Sequence, residues 1–391
     1  MRKKRILEVS DFSQIGGAAI AAGRISSSLK QRNIEVDRIS SDSSDPDTTL
    51  FLGRKTQLLR DLLVLMNLSS LGTRVARKET NRQFHLLIKR HAPDFILIHN
   101  IHGVGWPIDL VAIAANHAPT TWTLHDCWSF SGTYYPSHAP KPSPSMSNEL
   151  NSFWKKTIPN RVKCHPFSAV SPSRWMHDRA QESFWKEYPV EAIHNSIPDS
   201  YFKERDRKSC KKSLGLNEDN PVVLCIAGNL DEERKGGSIL QEIIRSTPKE
   251  KTQFLLVGSG HLFKSADSDR VKSLGFVRDE ITLQIAYSAS DLLLHTAPID
   301  NLPNTVAESM SCGTPVLAFE TGGLPEMVIP QKSGWLVKEI QAEPMINVLS
   351  NILLSHDYST LRESCRATAK VLFDQNKIAQ RYENHLLNIL C

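Results

Sequence analysis

The run Asp300-Asn301-Leu302-Pro303-Asn304-Thr305-Val306-Ala307-Glu308-Ser309-Met310-Ser311-Cys312-Gly313-Thr314-Pro315-Val316 decides the fold. Two carboxylates, Asp300 and Glu308, bracket a polar, proline-containing turn that leads into a helix. Carboxylates accept hydrogen bonds from sugar hydroxyls, and the first N–H groups of a helix are left over for an anion such as phosphate. Sugar beside phosphate is the chemistry of a nucleotide-sugar. Pro315-Val316-Leu317-Ala318-Phe319 then reads as a buried strand, and Thr321-Gly322-Gly323-Leu324-Pro325-Glu326 as a second glycine turn opening a short helix. A plain helix with two solvated acids would account for one such turn. Two in succession favour a ligand site.

The same strand-then-helix rhythm runs outward in both directions. Short apolar runs ending in polar residues occur at Arg5–Ser10, Val36–Ser40, Phe95–Asn100, Thr120–His125 and Phe167–Ser171, and again at Val222–Gly228, Phe254–Gly258, Leu292–Thr296 and Val316–Phe319. Strands alternating with helices predict an α/β protein with parallel sheets covered on both faces. Ligands of such sheets bind outside the carboxyl ends of the strands. A domain change is expected after Ile193-His194-Asn195-Ser196-Ile197-Pro198, where the charged stretch Asp199–Ser213 reads as poor in helix. From Lys377 onward, Ile378, Tyr382, Leu386 and Leu387 recur at helical spacing.

Length and composition agree. A chain of 391 residues predicts two domains, each able to bury a core. With 40% apolar and 23% charged residues it is ordinary for a soluble protein, and no apolar run approaches a membrane span. Met1-Arg2-Lys3-Lys4-Arg5 is basic, but Ile6-Leu7-Glu8-Val9-Ser10-Asp11 carries acids where a signal peptide would be apolar, so it reads as a first strand. The seven cysteines are scattered and lack metal-ligand spacing, so reduced cytosolic thiols are expected.

The run from Asn301 to Val316 resembles the E-x(7)-E signature of the retaining family 4 (group 1) glycosyltransferases, in the branch that builds bacterial surface polysaccharides such as lipopolysaccharide. The likeness extends from about Ala192 to Val337 and is thinner in the first half. It implies the GT-B fold: two Rossmann-like domains facing a central cleft, here an acceptor-side domain 1–198, a nucleotide-sugar domain 199–376, and a C-terminal helix 377–391 crossing back to the first domain. Asp300 departs from the pattern, since most of the family has Glu there; a carboxylate is retained. The resemblance implies that Asp300 holds the sugar hydroxyls and Glu308 the ribose, with Asn301, Leu302, Asn304 and Thr305 between them on the donor.

In Gly228-Asn229-Leu230-Asp231-Glu232-Glu233-Arg234-Lys235-Gly236-Gly237, Lys235 matches the family lysine that neutralises the diphosphate. Asn229 stands where the family arginine usually is, and Arg234 is the candidate to supply that charge. A leaving diphosphate gains negative charge as the glycosidic bond breaks, so fixed cations there lower the barrier. Gly258, in Val257-Gly258-Ser259-Gly260, is read as a glycine turn after a strand. Val277, in Leu274-Gly275-Phe276-Val277, matches the segment that meets the nucleobase; core packing is an equally good reading for it.

In the first half, Ile15-Gly16-Gly17-Ala18-Ala19 lets backbone approach a ligand closely. It lacks dinucleotide-fingerprint spacing and resembles the family's N-terminal glycine loop, with Gly16 and Gly17 on the donor. Ile98-His99-Asn100-Ile101-His102-Gly103 and Thr123-Leu124-His125-Asp126-Cys127-Trp128 set histidines at two successive strand ends. His125 matches the histidine beside the transferred sugar; His99, His102 and Asp126 are read as acceptor-side, against a plain packing role. Ser173, in Ser171-Pro172-Ser173-Arg174-Trp175, resembles a family segment but is read first as a helix N-cap.

The implied reaction is metal-independent, cofactor-free retaining transfer of a sugar from a UDP- or GDP-linked donor to a hydroxyl of a glycan or lipid-linked glycan. His125, Asp300 and Lys235 would be its catalytic residues. No nucleic-acid partner is expected. Two other readings stand beside it: a sugar-nucleotide 2-epimerase, and a GT-B scaffold that has lost transfer. The segment from Arg54 to Arg90 gathers Arg54, Lys55, Arg60, Arg74, Arg77, Lys78, Arg82, Lys89 and Arg90 around an apolar run. A solvated helix face explains it, as does weak docking on the anionic inner face of the cytoplasmic membrane by an otherwise cytoplasmic protein.

Overall fold

The computed structural model describes residues 2–42, 47–51, 69–135, 143–161, 164–247, 252–261, 270–355 and 357–390. Arg54, Lys55, Arg60 and the apolar run between Leu58 and Leu68 lie outside them. The chain divides into two compact units, residues 1–196 with 376–391, and residues 197–375.

The first unit holds a seven-stranded sheet in the order β3-β2-β1-β4-β5-β6-β7. Its strands are β1 (Arg5–Val9), β2 (Glu35–Ser40), β3 (Thr48–Leu50), β4 (Phe95–Ile98), β5 (Thr120–Thr123), β6 (Phe167–Ser171) and β7 (Val190–Ala192). The second unit holds six strands in the order β10-β9-β8-β11-β12-β13. These are β8 (Val222–Asn229), β9 (Gln253–Ser259), β10 (Val271–Ser273), β11 (Leu292–His295), β12 (Val316–Phe319) and β13 (Gly334–Val337). Every pairing is parallel. Described helices lie between successive strands except between β2 and β3 and between β9 and β10.

Parallel strands buried on both faces read as continuous apolar runs, because alternate side chains face two different cores. The second sheet shows this directly. Leu224, Leu255, Leu293, Val316 and Ala318 point into one cluster with Val306, Ala307 and Met310 of the helix Asn304–Ser311. Val223, Cys225, Leu256, Leu294 and Leu317 point into the other, with Leu240, Ile243 and Leu349. In the first unit, Ile378, Tyr382 and Leu386 of the helix Gln375–Asn388 pack with Ile6, Val36, Phe95, Leu97 and Val170 of the sheet.

Two readings are corrected. Asp199–Ser213 is not poor in helix: it forms a 3-10 turn, Asp199–Phe202, and the helix Arg207–Ser213. The Asp206 carboxylate caps that helix, accepting from Ser209 N at 2.7 Å, and Asp291 matches the charges of Arg207 and Lys211, so capping and ion pairing together hold the basic helix. Gly258 does not follow its strand but lies within β9, at φ 144°. A Cβ there would meet the Ala227 carbonyl oxygen at 2.0 Å, so the glycine permits close strand packing.

Candidate functional site

In the second unit, β8 runs into the loop that carries Arg234 and Lys235, and β11 runs into the loop that carries Asp300. β8 and β11 are neighbours in the sheet, so the two loops emerge side by side. Lys235 Nζ donates to Asp300 Oδ2 at 2.7 Å, linking residues far apart in sequence. The pair sits near the surface yet is sheltered, with side-chain exposures of 24% for Lys235 and 10% for Asp300. Burial raises the Asp300 pKa, but Lys235, His295 and Arg234 more than offset it, and the carboxyl lies below its ordinary range. It is an anion at neutral pH.

Backbone fixes the pair. Asp300 Oδ1 accepts from Asn301 N at 2.9 Å, Gly323 N donates to Asp300 O at 3.1 Å, and Thr296 Oγ1 donates to Lys235 O at 3.0 Å. Gly322, at φ +59°, lets the next turn approach so closely that a Cβ would lie 1.8 Å from the Asp300 carbonyl oxygen. Gly236 serves the lysine loop in the same way against Thr296.

The helix Asn304–Ser311 starts after Pro303, with Asn304 and Thr305 in its first turn and buried Asn301 and Leu302 just before it. Pro303 suits that boundary, having a fixed φ and no N–H to leave unsatisfied. Glu308 follows one turn later and is buried, its Oε2 accepting from Tyr287 Oη at 2.8 Å. Arg234 folds back on its own loop, donating to the Glu232 carboxylate at 2.9 and 3.3 Å. Asn229 ends β8, and its Oδ1 accepts from Asp231 N at 3.0 Å, a local turn that stabilises the loop. Val277 is partly buried against the core cluster beneath β8 and β9.

In the first unit, the ends of β1, β4 and β5 bring three groups together. His99 Nδ1 and His125 Nε2 are 2.8 Å apart and the rings stack at 5.1 Å. Burial holds both rings neutral, with pKa values lowered to about 3; Arg38 adds to this at His99, and His99 does at His125. The second group is His102, stacked on Trp128 at 4.8 Å, its Nε2 3.3 Å from Asp126 Oδ2. Asp126 Oδ1 accepts from Trp128 N at 2.8 Å, so it also fixes the start of the short helix Trp128–Ser131. Asp11 is the third, accepting from Phe12 N at 2.9 Å and Gly103 N at 3.0 Å. Gly16, at φ +88°, precedes the helix Gly17–Gln31 with open space where a Cβ would be; its conformation, not crowding, calls for glycine. Ser173 caps the helix Arg174–Gln181 by accepting from Met176 N at 3.0 Å.

Sequence reasoning passed over four groups, two at these strand ends and two within strands. His295 closes β11, buried beside Asp300, 3.9 Å from its Oδ2. Its strand-end position was the same signal that singled out His125. Asp11 stands just beyond β1 in the same way. Glu8 and Arg38 gave no signal: each sits inside a strand, and only the alignment of β1 with β2 joins them, Arg38 Nε donating to Glu8 Oε1 at 2.6 Å.

Residues 221–355 match the family model described as glycosyl transferases group 1. Among curated proteins, the chain is 23% identical over 210 residues to N-acetyl-alpha-D-glucosaminyl L-malate synthase of Bacillus anthracis, covering 51% of this chain and 54% of that protein. It is 20% identical over 241 residues to lipopolysaccharide 1,2-N-acetylglucosaminetransferase of Salmonella typhimurium, covering 56% and 61%. The matches thus span little more than half the length of these relatives. Among solved structures, sucrose-phosphate synthase from Thermosynechococcus elongatus superposes with a TM-score of 0.75 at 18% identity, covering 99% of both chains. Anabaena HepE in complex with UDP and glucose gives 0.72 at 19% identity, over 98% of this chain and 100% of that one. Residues 221–355 are thus similar to a group 1 glycosyltransferase domain, and the chain has the two-sheet fold of the GT-B glycosyltransferases.

Proposed function

We propose that the protein is a retaining glycosyltransferase that moves a sugar from a nucleotide-sugar to a hydroxyl of a glycan or lipid-linked glycan in surface-polysaccharide synthesis. The observation that carries this reading is the Lys235–Asp300 pair, set at adjoining strand ends within the matched segment. A lysine ammonium has three N–H groups. One is held by Asp300, and the others serve the diphosphate, whose charge grows as the glycosidic bond breaks. Asp300 offers its remaining acceptor capacity to sugar hydroxyls, and Glu308 to the ribose. The N-terminus of the helix Asn304–Ser311 adds the positive end of its dipole. His125 is assigned beside the transferred sugar and His99, His102 and Asp126 to the acceptor side, with Gly16 and Gly17, at the start of the helix Gly17–Gln31, on the donor.

In this mechanism the acceptor oxygen attacks the anomeric carbon on the face the diphosphate leaves. The acceptor proton passes to a phosphate oxygen, and Lys235 supplies the compensating positive charge. The relatives support the reading in kind: one is a lipopolysaccharide N-acetylglucosaminetransferase, and one neighbour was solved with UDP and glucose. A panel of UDP- and GDP-sugars, assayed for slow donor hydrolysis and then for transfer, tests it. Epimerisation of a donor, or binding of neither UDP nor GDP, would overturn it.

We further propose weak docking on anionic lipid at the cytoplasmic membrane surface. No described helix is long and apolar enough to cross a membrane. On the helix Ser69–His91, Thr80, Phe84 and Ile88 are buried, while Arg74, Lys78, Arg82, Lys89 and Arg90 are exposed. Arg77 is committed elsewhere, to Asp109 at 2.5 and 2.8 Å and Glu149 at 2.9 Å, and Arg82 is paired with Glu79 at 2.7 Å. Four cations remain for lipid, each worth on the order of 1 kcal/mol near an anionic surface. Co-sedimentation should show salt-sensitive binding to phosphatidylglycerol vesicles and not to phosphatidylcholine, lost when Arg74, Lys78, Lys89 and Arg90 are changed to Glu. Equal binding to both lipids sinks the idea.

A further inference from the structure

We propose that His295 is a positioning residue for the donor sugar: it takes up Asp300 Oδ2 as Lys235 is drawn toward the leaving diphosphate. The proposal rests on the transferase reading for what Lys235 and Asp300 bind. The exchange of partners at Asp300 concerns the second unit alone.

Two nitrogens face one oxygen. Lys235 Nζ donates to Asp300 Oδ2 at 2.7 Å, and His295 Nε2 stands 3.9 Å from the same atom. That distance is too long for a hydrogen bond and too short for a bridging water, which needs roughly 4.5 Å between the groups it joins. The His295 side chain is only 7% exposed, and its Nε2 has no hydrogen-bond partner among the described residues. A buried polar atom left unpaired calls for an explanation. Here a carboxylate oxygen lies about 1 Å beyond hydrogen-bond reach, held by a partner with a second task.

The fold sets the three groups in place. His295 ends β11, and Asp300 stands in the loop that β11 enters. Asp300 Oδ1 accepts from Asn301 N at 2.9 Å, so a turn of the carboxylate about that bond moves Oδ2. Thr296 Oγ1 donates to Lys235 O at 3.0 Å and ties the backbone of the lysine loop to the end of β11. The lysine ammonium ends a flexible four-carbon stem, so it is the member that shifts.

As the glycosidic bond breaks, the diphosphate gains negative charge and pulls on that ammonium. Asp300 stays a buried anion. Against burial, Lys235 does most to hold its carboxyl below the ordinary range; His295 comes next, and Arg234 also contributes. Burial lowers the His295 pKa to about 4, Asp300 acts upward on it and Lys235 downward. Withdrawal of the lysine therefore strengthens the attraction between ring and carboxylate. The Nε2–H tautomer and the imidazolium both present an N–H to Oδ2. Asp300 so keeps its aim on the sugar hydroxyls through the step.

The first test needs no substrate: urea unfolding of the full chain as wild type, His295→Phe, Lys235→Met and the double variant. His295→Phe should barely move the urea midpoint in the wild type and should lower it clearly in Lys235→Met, where the ring has taken up Asp300. The double variant then falls by more than the sum of the single shifts; additive shifts overturn the proposal. If the double variant fails to fold, nitrogen spectra of 15N-histidine-labelled chain decide, with His295→Gln for assignment. The His295 resonances should move to a hydrogen-bonded pattern in Lys235→Met, and unmoved resonances overturn it. The second test is hydrolysis of UDP-glucose and, in parallel, GDP-mannose. His295→Phe should lower kcat by about 2- to 12-fold, the worth of one hydrogen bond, and His295→Gln, which keeps an N–H, should recover part of it. Affinity for UDP and GDP, which carry no sugar, should stay unchanged. An unchanged kcat, a Gln variant as slow as Phe, or an equal loss of nucleotide affinity overturns the positioning role. Non-additive unfolding in a protein that hydrolyses neither donor supports the exchange and removes the transferase reading; additive unfolding in an active enzyme does the reverse.

Discussion

At the carboxyl ends of the first sheet, His99 and His125 stand ring against ring and both stay neutral, whereas at the ends of the second sheet His295 stands beside a carboxylate already matched to Lys235. The same residue type at the same topological position is therefore used in two ways. In the first unit Glu8 and Arg38 pair inside neighbouring strands, the strand-end carboxylates Asp11 and Asp126 accept from backbone N–H groups, and His99 and His125 face each other as neutral rings. In the second the fixed charges themselves occupy the strand-end loops. Neutral rings suit uncharged hydroxyls, and a preset lysine suits a diphosphate. The proposed division of labour between acceptor and donor sides is consistent with this difference.

The largest expected effect is the acid response that separates the two units. A histidine whose folded pKa lies below its unfolded value stabilises the fold fully above the unfolded pKa, and that contribution is lost as pH falls toward the folded value. His99 and His125 fall from 6.5 to about 3, while His295 falls from 6.5 to about 4. Each ring costs about 1.4 kcal/mol per pH unit within its window, so the first unit, with two, should lose stability faster below pH 6.5. Tryptophan emission reads the first unit almost alone, since only Trp335 belongs to the second. It should change at higher pH than the ellipticity of the rest. Coincident transitions, or a midpoint unmoved by joint His99→Asn and His125→Asn substitution, would break the comparison.

Next in size is Lys235→Met. Removing one partner of a sheltered ion pair strands the other and should cost the second unit about 3 kcal/mol by urea unfolding. The sign with pH is opposite to common expectation for a histidine. The wild-type pair contributes fully above the ordinary Asp300 value of 3.8 and fades below it, because the folded carboxyl is depressed. In Lys235→Met burial acts unopposed by the lysine, so acid sensitivity should begin at higher pH. An unchanged acid profile would mean that the pair is incidental.

Two variants then sharpen the donor side. Glu308→Ala should weaken binding of the cognate nucleoside diphosphate by about 1.5–3 kcal/mol, the worth of a charge-assisted bond. Tyr287→Phe, which deletes only the hydroxyl that donates to Glu308, should cost about 1 kcal/mol in the same calorimetric titration. A 2′-deoxyribose analogue should lose less from either change, and equal losses for both sugars would move Glu308 off the ribose. The smallest effect is expected at Ser173→Ala: about 1 kcal/mol of stability from a lost N-cap, with nucleotide binding unaltered.

The strands read from the sequence are the inner ones. Those not read, Thr48–Leu50, Val190–Ala192, Val271–Ser273 and Gly334–Val337, are the four sheet edges. Most inner strands are buried on both faces and read as apolar or β-branched runs, which a sequence displays. An edge strand has one neighbour and half-exposed side chains, so Thr48-Thr49-Leu50 or Val271-Lys272-Ser273 carries no pattern distinct from a loop. At the candidate site the difference is similar. Ser173 as a cap and the helix entered after Pro303 are local rules and were legible. The commitment of Arg234 to Glu232, two residues away, was not, because a charged loop admits many pairings and only its folded path selects one.

By itself the sequence determined the alternating α/β order, the inner strands, the two strand-to-helix turns at Asp300 and Thr321, and the apolar stripe of the last helix. All of these depend on neighbours within a few residues, where periodicity and capping act. Only the tertiary structure decided that Lys235 meets Asp300, that Glu8 meets Arg38, that His99 meets His125, and that Tyr287 holds Glu308. Each of those pairs bridges separate elements, and strand order with register brings its members within reach; neither is written in the composition of the strands being aligned.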